Sequence, residues 1–446
     1  MNKNQENTVT IVIESGKCAW GKCVFCGFGK NIGIQPNVEK LKEIFIKKMK
    51  KFEDVNIRTL KIFCSGSFLD DNQFPPEFRK YVNDYCSTHG IENLVIETRP
   101  EFITSEKLKD FSNVSLCVAI GLEVADDKIL RKLNKGITLQ DYEDAVNILR
   151  ENNVRVRTYL LANPPFVENN KNYLHDSVNY ALKFSDEVNI NNTYPHSKSD
   201  LFNYWVEGKW SPLDENQFKK IIDEFGSNPK VTYDFNNFSF VPRFPKHMQK
   251  WLKGVGEEYL THPYYEVWQD YLVRFYKRPK NRKYALFLPC SYRKPYSRSK
   301  THKEILKKLK ELPFYSEIHR IVVSTPGVIP CEFDSWYPFN KYDWPEWEET
   351  PEIKERIVEV NRERLKSYLK THKYEKYFNF LKPDSDSGRA LRLACRDLNI
   401  DIIECVDIDA YERLTQEGVK NPIISKECLK HLTYTLRANI SDESHI

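Results

Sequence analysis

Over roughly the first 225 residues, short apolar runs alternate with longer amphipathic stretches. Residues 8–14 (TVTIVIE), 60–64, 94–97, 114–120, 154–161 and 187–191 have the length and aliphatic content of buried strands. The stretches between them repeat apolar positions at helical spacing. Asn37 precedes a segment, residues 38–46, with an apolar stripe and a basic outer face. Thr138-Leu139-Gln140-Asp141 resembles a capping box with Asp in place of Glu and opens a helix that runs through Leu149. Asn163-Pro164-Pro165 halts the fifth strand, because proline removes amide donors from the ladder. Strands that alternate with helices predict βαβ units on a parallel sheet. Six such units predict a partial (β/α)6 barrel over residues 1–227. Residues 228–282 are rich in Pro, Trp and Tyr with weak periodicity, and read as a connector packed on the barrel. A second α/β pattern starts near Tyr284 with a strand over 285–288, so the fold class is α/β, a barrel followed by a smaller α/β domain over 283–446.

Composition agrees with two cores and adds a compartment. A chain of 446 residues exceeds the length at which single cores stop growing, and 40% hydrophobic residues are ample to fill two. The 11 cysteines are odd in number and lack the spacing of a disulfide framework, which fits a reducing cytoplasm. No amino-terminal apolar signal core and no apolar run of about 18 residues is visible, so neither export nor a membrane span is expected.

The charge is uneven. The whole chain carries a net +5, yet Arg274 to Lys310 holds 14 Lys and Arg against one acid, Glu304, a local excess of 13. A solvated basic face is one reading of such a run. Tyr276, Tyr284, Tyr292 and Tyr296 are interleaved with it, and aromatic rings among phosphate-neutralising cations make nucleic-acid contact the sharper one.

Three cysteines, Cys18, Cys23 and Cys26 in CAWGKCVFC, follow the first strand. Three thiolates hold three irons of a [4Fe–4S] cluster and leave the fourth iron open to a small molecule. A structural zinc half-site is the other reading, and it requires a fourth ligand that is not evident nearby. Small and polar groups gather at the ends of later strands: Ser65-Gly66-Ser67-Phe68-Leu69-Asp70, Thr98-Arg99-Pro100-Glu101 and Gly121-Leu122-Glu123. In a parallel barrel those ends form the ligand face.

The cysteine loop with SGSFLD, ETRPE, IGLE and the later Asn134-Lys135-Gly136 resembles the radical S-adenosylmethionine (SAM) family, in the branch of the elongator catalytic subunit and the radical archaeosine enzyme. That resemblance implies that Cys18, Cys23 and Cys26 ligate the cluster and that SAM occupies the open iron. It implies further that Ser65, Gly66 and Ser67 bind the methionyl amine, and that Glu123 meets the ribose or amine. Taken by themselves, Ser65–Ser67 read equally as a turn, and Glu123 as an acid at a helix N-terminus. Four residues separate the first two cysteines, where the family more often has three.

Pro289-Cys290-Ser291-Tyr292-Arg293-Lys294-Pro295-Tyr296-Ser297-Arg298-Ser299-Lys300-Thr301-His302 is similar to the PCS..KPY..S..H signature of the archaeosine synthase core domain. Residues 323–332, Tyr337-Pro338 and Tyr342-Asp343 extend the likeness over about residues 283–410. This family joins lysine to a 7-cyano-7-deazaguanine base in tRNA. The resemblance implies Lys294 and His302 as proton carriers or carboxylate contacts. For Cys290 two readings stand, a transient thioimidate on the nitrile or an inert buried thiol. Thr301 stands where the family has Ser, and the transglycosylase-like and PUA regions of long archaeosine synthases are not recognisable, so tRNA recognition falls to the basic stripe or to a partner subunit.

The two signatures together imply an enzyme that adds lysine to the base in tRNA and then cleaves the adduct by radical chemistry to leave a formamidine. An elongator-like enzyme acting on another tRNA base, with the second domain for docking, is an alternative. A non-catalytic iron–sulfur protein that binds nucleic acid is another.

Overall fold

Strand-forming runs of aliphatic residues build two sheets, one in each of the two units into which the chain divides, Met1–Phe238 and Ser239–Ile446. The computed structural model describes residues 7–31, 33, 35–167, 170–235 and 240–440. In the first unit β1 (Thr8–Val12), β2 (Thr59–Phe63), β3 (Asn93–Thr98), β4 (Ser115–Glu123), β5 (Arg155–Ala162), β6 (Glu187–Asn192) and β7 (Val231–Asp234) pair in chain order. Every pair is parallel, and the sheet is curled into a half-barrel.

Alternation along the strands separates two chemistries. Leu60, Ile62, Leu94, Ile96, Val118, Ile120 and Val156 are buried in the main core under the helices. Lys61, Glu97, Arg157, Tyr159, Glu187, Asn189 and Thr232 fall on the opposite face, in adjacent register. There Arg157 pairs with Glu187 at 2.6 Å, and the Thr232 hydroxyl donates to the other Glu187 oxygen at 2.9 Å. The inner wall therefore carries polar and charged groups around a small apolar cluster of Val95, Cys117 and Ala119, whereas a filled barrel would line it with aliphatic layers.

The helices pack as their stripes predict. Helix Val38–Met49 is capped by Asn37, which accepts from the Lys40 amide at 3.0 Å, and buries Leu41, Phe45 and Met49. Helix Leu139–Glu151 opens on a reciprocal Thr138/Asp141 box in which both bonds are made. The sheet carries one strand more than the six βα units counted from sequence. The seventh has only four residues, two of them polar, so its local pattern is too short to register against the Pro- and aromatic-rich residues around it.

The second unit has β8 (Leu252–Lys253) paired with β12 (Tyr342–Asp343), and a five-stranded sheet of order β11 (Gly327–Pro330), β10 (Ile318–Ser324), β9 (Tyr284–Pro289), β13 (Lys376–Asn379), β14 (Ile402–Glu404). Only the β10–β11 pair is antiparallel in the larger sheet. From β9 the chain proceeds to β10 on one side, and from β13 to β14 on the other. Strand order thus reverses between β9 and β13, and the crevice beyond their carboxyl ends is where such sheets bind ligands. Helix Pro263–Arg274 packs within this unit. Its Gln269 amide donates to the Pro326 and Val328 carbonyls, and the Trp268 indole donates to the Tyr337 carbonyl at 3.0 Å. Residues 228–282 thus supply β7 of the first unit and, in the second, β8 and the helices Glu257–Leu260 and Pro263–Arg274. Among the described residues no helix is long and apolar enough to cross a membrane.

Candidate functional site

In the first unit the loop after β1 carries Cys18 and Cys26, both half-buried, and Cys23, buried. Backbone bonds tie the loop down: Val24 N–H donates to the Leu133 carbonyl, and Leu201 N–H donates to that of Val24. The Trp20 indole donates to the Asn134 carbonyl at 2.7 Å. Gly136 lies flat against the Trp20 ring; a methyl there would come within 2.3 Å of it, and its φ of +67° is strained for other residues. Gly27 fits as closely under His196, whose Nδ1 would lie 1.8 Å from a Cβ. Burial pushes the Cys23 thiol up to about 11 and raises that of Cys26, while the Lys135 ammonium pulls both down. Amide protons of Gly29 and Phe28 also favour the Cys26 thiolate, and the Gly29 contact to Sγ is 3.4 Å. Among the described residues no three His, Cys, Asp or Glu side chains converge as ligands of one ion.

The strand-end strings meet beside this loop. Arg99 donates to the carbonyls of Lys135 and Gly136 at 3.0 and 3.2 Å, and its guanidinium lies 5.5 Å from the centre of the Trp20 ring. Lys135 and Glu123 form a buried ion pair at 2.6 Å. Glu123 holds a left-handed φ of +71° at a register shift in β4, and its carboxylate lies against Gly121, where a Cβ would approach it to 2.5 Å. Ser67 is buried: its hydroxyl accepts from Arg99 N–H at 3.1 Å and its own N–H donates to the Gln73 side chain at 2.7 Å. Ser65 and Gly66 are half-buried beside it.

Three partners in this site escaped sequence reasoning. Gln73 bridges Ser67 to the Gly16 carbonyl at 2.7 Å, linking the serine turn to the start of the cysteine loop. His196 comes from beyond β6. Glu97 ends β3, accepts from Cys64 N–H at 3.4 Å, and is pushed up to about 7 by burial against the opposing Cys64 amide and Tyr159 hydroxyl. Only Glu97 left a signal, an acid that closes the apolar run 94–96 two residues before Arg99.

The second unit holds a cavity of about 640 Å³ at the β9/β13 crevice. Cys290 and Lys294 line it; His302 does not. Burial raises the Cys290 thiol, opposed by a hydrogen bond with Ser324 and by the Lys294 charge. Burial also lowers Lys294, which favours its neutral amine, and its Nζ sits 4.0 Å from the centre of the Tyr342 ring. The Ser324 hydroxyl bonds that of Tyr342 at 2.7 Å, and the Tyr342 hydroxyl in turn bonds that of buried Tyr296. His302 is buried behind the wall. Its Nε2 lies 2.9 Å from the Pro289 carbonyl, so that nitrogen carries the proton and the ring anchors the end of β9. Opposite stand Asp343, Glu346, Glu349, Asp384 and Asp386 against Lys294, Lys354, Lys382 and Lys420, a lining that is mixed and slightly acidic.

The basic run is divided in use. Lys283 pairs with Glu317 and Lys308 with Glu311, while Arg293, Arg298, Lys300 and Lys303 are exposed on and just after the loop that carries Lys294. Of its four tyrosines, Tyr276 and Tyr296 are buried and Tyr284 is half-buried; Tyr292 alone is exposed. Stacking by all four on bases, as the interleaving suggested, is therefore excluded by burial of the ring faces.

Residues 13–172 match the radical SAM superfamily, and residues 266–421 match a domain of unknown function, DUF5591. Members of the radical SAM superfamily use a [4Fe–4S] cluster and S-adenosylmethionine. The chain is 30% identical over 225 residues to archaeosine synthase subunit beta of Methanosarcina acetivorans, covering 48% of this chain and 65% of that protein. It is 31% identical over 140 residues to archaeosine synthase subunit alpha of Thermoplasma acidophilum, covering 30% and 26%. The first curated relatives are spanned over 50 to 65% of their lengths. Among solved structures, a queuine lyase from Clostridium spiroforme bound to SAM and queuine overlaps with a TM-score of 0.40 and 19% identity, covering 52% of this chain and 92% of that one.

Proposed function

We propose that this chain is a tRNA-modifying enzyme of archaeosine biosynthesis, in which the second unit adds lysine to 7-cyano-7-deazaguanine and the first cleaves the adduct at a carbon–nitrogen bond. One observation carries the reading: a radical SAM match and a DUF5591 match share one chain whose relatives are named as both subunits, alpha and beta, of archaeosine synthase. A partner subunit that supplies further tRNA contacts belongs to the same proposal.

In the second unit the reaction is the addition of an amine across a nitrile. The lysine ε-nitrogen bonds the nitrile carbon, one carbon–nitrogen π bond breaks, and a proton moves from the attacking nitrogen to the imide nitrogen, leaving an amidine. The slightly acidic lining suits a substrate that enters as an ammonium ion. Lys294, whose neutral amine is favoured by burial, is the proton carrier in this scheme. Cys290 lines the same cavity; were its thiol to add first, the S–H proton would pass to the nitrile nitrogen to give a thioimidate, and the lysine amine would then displace the thiol to give the same amidine, while His302 fixes the strand end.

In the first unit Cys18, Cys23 and Cys26 would hold the cluster. Their soft sulfur donors suit the irons of a cluster that takes one thiolate per iron. When bound, the cluster and SAM supply the 5′-deoxyadenosyl radical that removes a hydrogen from the lysine side chain. Around them Ser65, Gly66, Ser67 and Glu123 would orient the methionyl and ribose groups, Lys135 pairs with Glu123, and Trp20 packs on Gly136 beside the loop.

The test is mass spectrometry of tRNA that carries 7-cyano-7-deazaguanine, incubated with lysine and then, anaerobically, with SAM and dithionite. A gain of one lysine, followed on SAM addition by its loss to the formamidine with release of 5′-deoxyadenosine, is expected. No gain with lysine rejects transfer; a gain that persists with SAM rejects cleavage.

A further inference from the structure

Two aromatic side chains on the cavity of the second unit stand in water. Tyr292 is 80% exposed and Trp347 is 76% exposed, and both line the cavity. Among the described residues, neither ring packs on another ring or under a cation, and neither side chain makes a hydrogen bond. Their neighbour Trp344 shows the ordinary fate of such a residue here: it is 9% exposed, with its indole bonded to Glu349 at 2.7 Å. An indole and a phenol left bare at the mouth of a cavity, while adjacent aromatics are buried, are surfaces kept for a ligand.

The surroundings select the ligand class. Tyr292 lies between Ser291 and Arg293 on the loop whose Arg293 and Arg298 are exposed, followed by exposed Lys300 and Lys303. Trp347 comes from another segment of the same lining, between Glu346 and Glu348. Two flat π surfaces match a nucleobase, and the phosphate-seeking cations beside Tyr292 match its backbone. The cavity has room for a base and an amino acid, but not for a duplex, so the base must leave its stack. Chemistry at Cys290 and Lys294 requires the same exit.

We propose that Tyr292 and Trp347 form a stacking clamp that seats one fused-ring heterocyclic base, extruded from a folded RNA, in the second unit's cavity. The identity of the reaction within the cavity rests on the function proposed above; the clamp does not need it. Tyr292 and Trp347 are binding residues, and Cys290 and Lys294 do not depend on them for their place in the fold.

The experiment uses the full chain and measures binding apart from turnover. Affinity for the 7-cyano-7-deazaguanine nucleoside, for a single-stranded oligonucleotide containing it and for a folded tRNA transcript containing it is compared among wild type, Tyr292→Ala, Trp347→Ala and their Phe counterparts. The Ala variants are expected to bind all three ligands about tenfold or more weakly, with the Phe variants within about threefold of wild type. The melting temperature and the alkylation rate of Cys290 should not move. Nucleoside binding by the Ala variants equal to that of wild type overturns the clamp, as does a wild type that binds RNA but no nucleoside. Binding that follows the clamp prediction in a wild type that transfers no lysine supports the clamp and rejects the reaction proposed above.

Discussion

Individual side chains in both units are set by burial more than by charge, and that makes their titration informative. Glu97 has its carboxyl pushed up to about 7, above the usual value near 4.3 for a free glutamate. A group raised in the folded state contributes stability that is full below its unfolded pKa and is lost as pH rises through the folded one. Glu97→Gln removes that loss. It should leave the melting temperature near pH 4 little changed and raise it at pH 8, by about 2–3 kcal/mol in the unfolding free energy of the first unit, which thermal melts at both pH values will check. An equal shift at both pH values would show that Glu97 is not protonated in the folded protein. In the second unit, Ser324 and Lys294 both draw the Cys290 thiol down against burial. Ser324→Ala and Lys294→Met should each move the midpoint of Cys290 alkylation to higher pH than in wild type, since the thiolate is the reacting form. An unchanged midpoint in both variants would detach Cys290 from its two neighbours.

Elements place these groups, and here the sequence was legible where a local rule sufficed. The strand runs, the Asn37 cap and the Thr138/Asp141 box each depend on a few adjacent residues, and each is made in the structure. What stayed hidden is non-local. Gln73 reaches the Gly16 carbonyl across 57 positions, and the acid wall of the cavity joins residues 343–349 to 384–386 through folding alone. His302 is the reverse case: its place in a motif suggested a proton carrier or carboxylate contact, and the fold sets its ring on the Pro289 carbonyl. Among the non-local contacts that hold the cysteine loop is that of Trp20 on Gly136. Gly136→Ala should displace the indole and lower the iron bound after anaerobic reconstitution, with far-ultraviolet circular dichroism unchanged. Full iron loading in this variant would show that the contact does not hold the loop.

At the scale of the whole molecule, two units with separate sheets each present the carboxyl ends of parallel strands, and each candidate site is described from residues of its own unit. The cysteine loop, Lys135 and Glu123 lie in the first unit; Cys290, Lys294 and the acid wall lie in the second. Independent sites fail independently. Joint replacement of Cys18, Cys23 and Cys26 by Ala should abolish release of 5′-deoxyadenosine yet leave the lysine gain on tRNA within about twofold of wild type, because mutations with no shared partners are additive. Cys290→Ala with Lys294→Met should remove the lysine gain while SAM cleavage without substrate persists. Under the proposed function RNA docks before either reaction, and the exposed Arg293, Arg298, Lys300 and Lys303 are the candidate cations for that docking. Replacing all four by Gln should weaken tRNA binding at low salt and flatten the dependence of log Kd on log salt by about one unit for each phosphate that is no longer neutralised. A slope unchanged in that variant would move the RNA surface elsewhere on the chain or onto the partner subunit, and would leave the cavity's cations as ligands of the amino acid alone.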